Sequence, residues 1–96
     1  MGKQSVQIQY NVHCKWAGES PVYRLFVDGE LFTERTYIWH DQYLEEVIPI
    51  NAQPGDYVIT YELLGAGTLT VENPQVLSGP GEFVGQNVIR IKNESL

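Results

Sequence analysis

Few residues in this 96-residue chain have the types and spacing that chemistry needs. His13 and Cys14 are adjacent, and a thiol beside an imidazole is the pairing of a cysteine nucleophile with its base. They close a run in which Val6, Ile8, Tyr10, Val12 and Cys14 alternate with Ser5, Gln7, Gln9, Asn11 and His13. Such alternation is that of a half-buried strand, whose successive side chains point to opposite faces, so the two cannot share a proton. Cys14 is read as a core residue. His40, Asp41, Glu45 and Glu46 could offer nitrogen and oxygen ligands to a metal. With His13 and His40 as the only histidines and a single cysteine, a closed zinc site would need carboxylates for most of its ligands. No Asp-x-Asp-x-Asp run supports calcium. Neither a metal nor a cofactor is expected. Glu34 and Glu46 would share a face if the strands that carry them pair, and glycosidases hold two carboxylates roughly 5 to 10 Å apart. A domain this small rarely shapes the cleft that chemistry requires. Ser20 and Ser78 lie outside any nucleophile-elbow pattern, and Gly79-Pro80-Gly81 matches no phosphate-binding fingerprint. The chain is expected not to be an enzyme.

The elements that would position these residues are all strands. From Val22 to Trp39, two runs rich in β-branched and aromatic residues flank Asp28-Gly29, a dipeptide that readily takes the positive φ angles of a type I′ hairpin turn. That turn sets a register in which Phe26 faces Leu31, Leu25 faces Phe32 and Arg24 faces Thr33. A fourth strand runs from Tyr43 to about Ile50 with Leu44, Glu46, Ile48 and Ile50 on one side. Pro49 lacks a backbone donor and pushes its end to a sheet edge or a bulge. Pro54-Gly55-Asp56 turns the chain into a fifth strand, Tyr57 to Leu63, and Gly65-Ala66-Gly67 into a sixth, Thr68 to Glu72. Asn73 to Gln86 reads as a long loop carrying at most a short strand at Val76-Leu77, and Asn87 to Lys92 closes the fold. No segment has the repeat of an amphipathic helix. The expected fold is one all-β domain over residues 1–96: an antiparallel β-sandwich, immunoglobulin-like or jelly-roll, of seven to eight strands.

One constellation suggests binding. If Tyr23, Leu25, Val27, Phe32 and Ile38 face the core, the other face of the hairpin carries Arg24, Phe26, Leu31, Arg35, Tyr37 and Trp39, with Tyr43 close to Trp39 across the following turn. Three aromatics and two arginines on an outward face suit a buried interface or a ligand platform. Arg24, Phe26, Arg35, Tyr37, Trp39 and Tyr43 are the candidate contact residues. Three occupants fit: the protein's own core, should the hairpin bury both faces; another protein or a second copy; or a glycan stacked on Tyr37, Trp39 and Tyr43. Trp16 is a further candidate, as an exposed aromatic or a plug over the core.

Charge narrows the partners. The net charge is −6, and no lysine or arginine occurs between Arg35 and Arg90. Phosphate backbones and anionic lipids should be repelled, so neither nucleic acid nor a membrane is an expected partner. A lone cysteine allows no internal disulfide, which fits a reducing compartment or a particle assembled inside a cell. There is no apolar leader run, so a cytoplasmic location is expected. Met1-Gly2 lacks the serine or threonine of a myristoylation motif, having Val6 at that position. Asn93-Glu94-Ser95 matches a glycosylation sequon by chance on this reading.

The runs YRLFVDGELFTERTYIW, YLEEVIPI, PGDYVITYEL and TLTVENPQV, about half the chain, resemble in their order the β-sandwich layout of carbohydrate-binding modules and related accessory domains. They are also similar to small β-sandwich proteins of marine cyanophages. The first resemblance implies a glycan ligand; the second implies synthesis in a host-cell cytoplasm and a virion or host-interaction role. Neither supplies a functional residue, because no diagnostic motif aligns. The expected role is a non-enzymatic binding or assembly module that self-associates or meets another protein, with carbohydrate binding as the alternative.

Overall fold

A computed structural model of the protein describes residues 2–40 and 42–93. Asp41 of the proposed ligand set, Met1 of the Met1-Gly2 pair, and Glu94 and Ser95 of the sequon lie outside the described residues. Eight strands form the fold: β1 (Gln4–Lys15), β2 (Val22–Val27), β3 (Glu30–Thr36), β4 (Leu44–Ala52), β5 (Gly55–Leu64), β6 (Thr68–Ser78), β7 (Gly81–Phe83) and β8 (Val88–Ile91). They make a three-stranded sheet in the order β4-β1-β6 and a five-stranded sheet in the order β3-β2-β5-β8-β7. Every pairing is antiparallel. Apart from the β2–β3 and β7–β8 hairpins, each connection crosses from one sheet to the other. This is the expected all-β sandwich.

The alternation in β1 does what its residues dictate. Val6, Ile8, Tyr10, Val12 and Cys14 are buried at the centre of the three-stranded sheet, and Ile48 and Ile50 of β4 join them. From the other sheet come Tyr23, Leu25, Ile59, Ile89 and Ile91. Each fully buried aliphatic side chain contributes about 1.5 to 3 kcal/mol by leaving water, so this shared core holds the two sheets together. Pro49 lies on β4, which pairs only with β1 and is an edge strand, where the missing donor costs no ladder bond.

The β2–β3 turn has the expected chemistry and one more tie. Asp28 and Gly29 both have positive φ, 52° and 82°. The Asp28 amide donates to the Val58 carbonyl at 2.8 Å, and Asp28 Oδ1 accepts from the Val58 amide at 2.8 Å. The turn is thereby bolted to β5.

The register beyond the turn departs from expectation. Phe26 faces Leu31, but a bulge at Phe32 then sets Leu25 against Thr33, Arg24 against Glu34 and Tyr23 against Arg35. One inserted residue exchanges the faces of everything after it. Arg35 and Tyr37 therefore turn inward. Ile38, expected in the core, is 61% exposed, and Phe32 is 42% exposed.

The second departure is β6. The segment read as a strand ending at Glu72 and then a long loop is one strand running to Ser78, paired along β1 with irregularities between Gln7 and Ile8 and between Gln9 and Asn11. Pro74 is tolerated because β6 is an edge, and Asn73 takes the left-handed φ of 54° at the irregularity. Gly79 (φ 93°) then crosses directly over β1: a Cβ there would collide with the Ser5 carbonyl oxygen and Val6 Cα.

Candidate functional site

The six candidate contact residues do not form one face. Arg24 lies on the outer side of the five-stranded sheet, its Nε 3.1 Å from Glu34 Oε1. Phe26 is half-buried on that same side. Arg35 points the other way, toward the core, and its Nε donates to Glu46 Oε2 at 3.1 Å. Tyr37 is wholly buried, and its hydroxyl donates to the Gln42 carbonyl at 2.6 Å. Burial pushes that phenol's pKa upward. Trp39 is half-buried with its ring edge-on to Tyr37, centroids 5.2 Å apart, and its carbonyl accepts from Trp16 Nε1 at 2.8 Å. Tyr43 is 57% exposed, beside the outer face of the other sheet. An aromatic platform of Tyr37, Trp39 and Tyr43 therefore does not exist, because the bulge at Phe32 delivers the first to the core. Trp16 stacks on His40 at 4.0 Å and closes the end of the sandwich over Cys14, as a plug rather than a free aromatic.

Other expected juxtapositions resolve as simply. Cys14 is buried and His13 is on the outer face, so they do not form a dyad. Burial raises the Cys14 thiol's pKa, the opposite of what a nucleophile needs. Glu34 and Glu46 belong to different sheets, one outward and one inward. Among the described residues, no three His, Cys, Asp or Glu are placed to share a metal ion. No helix among them is long and apolar enough to cross a membrane.

Two polar arrangements stand out. The first is internal. Glu46, on the core face of β4, reaches across to the five-stranded sheet with its side chain 2% exposed. Its Oε2 accepts from the Tyr23 hydroxyl (3.1 Å) as well as from Arg35, and its Oε1 accepts from the Tyr61 hydroxyl at 2.9 Å. A buried carboxylate is tolerated only when so satisfied. Burial, and then the neighbouring Glu46 charge, drive the Tyr23 and Tyr61 phenols far above their ordinary pKa. Arg35 is pushed up by Tyr23 and Glu46 against the opposing effect of its own burial. Arg35 keeps its side chain 45% exposed, and the cluster ties the two sheets together as an inter-sheet lock. Its sequence signal was Glu46 itself: a charge within the apolar stripe of β4 requires a cation from the facing sheet.

The second arrangement is external. On the outer side of the three-stranded sheet, Asn11, His13, Gln42, Tyr43, Thr70, Glu72 and Asn73 line a cleft of about 550 Å³. Thr70 lies opposite His13 and Glu72 opposite Asn11, because β6 pairs with β1. Asn11 and His13 were legible as polar-face residues, but Asn73 fell in the supposed loop, so nothing in the linear pattern gathers this set. Comparison of the chain with models of protein families, with curated proteins and with solved structures gives no match.

Proposed function

We propose that this domain is a non-enzymatic binding and assembly module whose contact face is the outer side of its five-stranded sheet, covered by a second copy of the chain. The observation that carries this reading is a contiguous apolar row across that sheet. Leu31 faces Phe26, Phe26 lies diagonally from Val58, and Val58 faces Val88. Leu31 is 56% and Val58 42% exposed. A contiguous row of large apolar side chains on the solvent side of a sheet marks an interaction surface.

Charge favours a copy of the same chain here. The row is flanked by closed ion pairs, Arg24–Glu34 on one side and Asp56–Arg90 with Glu82–Lys92 on the other. Three of the chain's six lysines and arginines therefore sit on this face, each paired with a carboxylate, so the ion pairs themselves add no net charge beside the row and do not oppose a second copy. Edge pairing is disfavoured by comparison. β3 is bulged at Phe32 and would oppose Glu34 to Glu34 in a pairing centred there, and β4 carries Pro49.

Light scattering on the wild type and on Leu31→Lys and Val58→Lys tests the reading. Both side chains are exposed, so the variants keep the fold. A wild-type dimer or larger species that becomes a folded monomer in both variants supports it. A wild type that is monomeric across the accessible concentration range refutes it.

A further inference from the structure

We propose that self-association through the outer face of the five-stranded sheet is governed by the charge of Glu62, so that two copies join most readily where salt screens that charge. The inference rests on the assembly reading above and supplies its regulation.

The registers of the sheet lay out a face that repeats itself. Glu34, Arg24 and Glu62 run in line across β3, β2 and β5, and Glu82, Arg90 and Asp56 run in line across β7, β8 and β5. Between the two charged lines lies the apolar band. Leu31 and Phe26 form its half on one side of β5, and Val88 and Val84 its half on the other. Val84 extends the β7–β8 ladder, its amide donating to the Val88 carbonyl at 3.0 Å, and is 43% exposed. A half-turn about the normal to the sheet, through β5 between Val58 and Thr60, exchanges the charged lines and the halves of the band. That pivot is also the centre of the face, because β5 is the middle strand of the sheet.

The two lines differ in charge balance. On one side Arg90 pairs with Asp56 at 2.9 Å and Lys92 with Glu82 at 2.9 Å, so the set is neutral. On the other, Arg24 pairs with Glu34 at 3.1 Å, and Glu62 is left over. Glu62 is exposed and, among the described residues, makes no ion pair. It is the surplus charge on an otherwise balanced face.

Its position turns that surplus into a control. Aligned sheets packed face to face keep their strand directions within about 30° of each other. A two-fold pair meets this condition with its axis in the interface, either along the strands or across them. With the axis along β5, Glu62 meets the partner's Glu62. With the axis across the strands, Glu62 meets the partner's Asp56, since the two lie equally far from the pivot on either side of it. Both arrangements set carboxylate against carboxylate on the central strand. Like charges juxtaposed in an interface oppose association, and the apolar band beside them excludes the water that would weaken the repulsion. The screening length is about 30 Å at 0.01 M salt and about 3 Å at 1 M, so the repulsion spans the contact at the first concentration and is largely removed at the second.

Sedimentation equilibrium of the full chain, from about 0.01 M to about 1 M sodium chloride, tests the proposal. The dimer dissociation constant of the wild type should fall as salt rises. Glu62→Gln keeps the shape of an exposed side chain and should tighten the dimer about tenfold at the lowest salt, with a flatter response to salt. Glu72→Gln removes the same charge from the outer face of the other sheet and should stay within about twofold of wild type. A dimer indifferent to salt, or a Glu62→Gln dimer no tighter than that of Glu72→Gln, overturns the control by Glu62 and leaves the assembly reading standing. Wild type and both variants monomeric at every salt concentration overturn the two together.

Discussion

Raising the pH should destabilise this protein steeply through its buried phenols. Tyr10 is buried, with its hydroxyl donating to the Gln86 carbonyl at 3.2 Å, and desolvation pushes its pKa up to about 12. Burial and the Glu46 carboxylate hold Tyr23 and Tyr61 higher still. In the unfolded chain all three would ionise near pH 10. A phenol whose folded pKa is raised stabilises the fold fully below the unfolded value, and that contribution is lost as pH climbs from about 10 toward the folded value. Each group gives up about 1.4 kcal/mol per pH unit in that window. Three groups together remove about 4 kcal/mol by pH 11 and about 8 kcal/mol by pH 12. A domain of this size has a total stability of about 5 to 14 kcal/mol, so one in the lower half of that range unfolds cooperatively between about pH 11 and pH 12, and one in the upper half is left with about 2 to 6 kcal/mol at pH 12. Urea denaturation at a series of pH values gives the slope, and phenolate absorbance gives the ionisation. Tyr10→Phe should shallow the slope by about a third. A stability that stays flat above pH 10, with complete phenolate formation in the folded protein, would refute the reasoning: the rings would then be open to water.

Two further outcomes follow from the packing. Glu46→Ala strands the Tyr23 and Tyr61 hydroxyls in the core and should cost about 3 to 5 kcal/mol in urea denaturation. Glu46→Gln, which keeps an acceptor, should cost less, and an alanine variant within about 1 kcal/mol of wild type would mean the cluster is wet. Gly79→Ala places a methyl against the Ser5 carbonyl and should lower the thermal midpoint sharply, whereas Gly85→Ala, with open space around its Cβ, should leave it nearly unchanged.

Much of the architecture is written in local pattern. In β1 and β4 the apolar side chains recur every second residue, and one face of each strand is buried as that period demands. Asp28-Gly29 specifies its turn through the backbone freedom of those two residues, independent of anything distant. Pro49 marks an edge because its missing donor is a local fact. These features need no knowledge of the partner strand.

The faces of β3 and the extent of β6 were decided elsewhere. In β3 nearly every position is exposed, so burial does not pin its register. The bulge at Phe32 brings Arg35 to Glu46 and Tyr37 to the Gln42 carbonyl, contacts that run to the other sheet and to the chain leading into it. In β6, proline and a left-handed asparagine argue locally for a loop, yet pairing with β1 satisfies enough of the backbone to hold a strand through both. The polar cleft needs that pairing, since Asn11 and Glu72 are distant in the chain and become neighbours only across the ladder, while the β1–β4 pairing brings Gln42 and Tyr43 to its other side. Local sequence determined which residues alternate and where the chain turns. Tertiary structure decided which face of an ambiguous strand is inside, because Arg35 meets Glu46, and Tyr37 its core contacts, only once the two sheets are packed together.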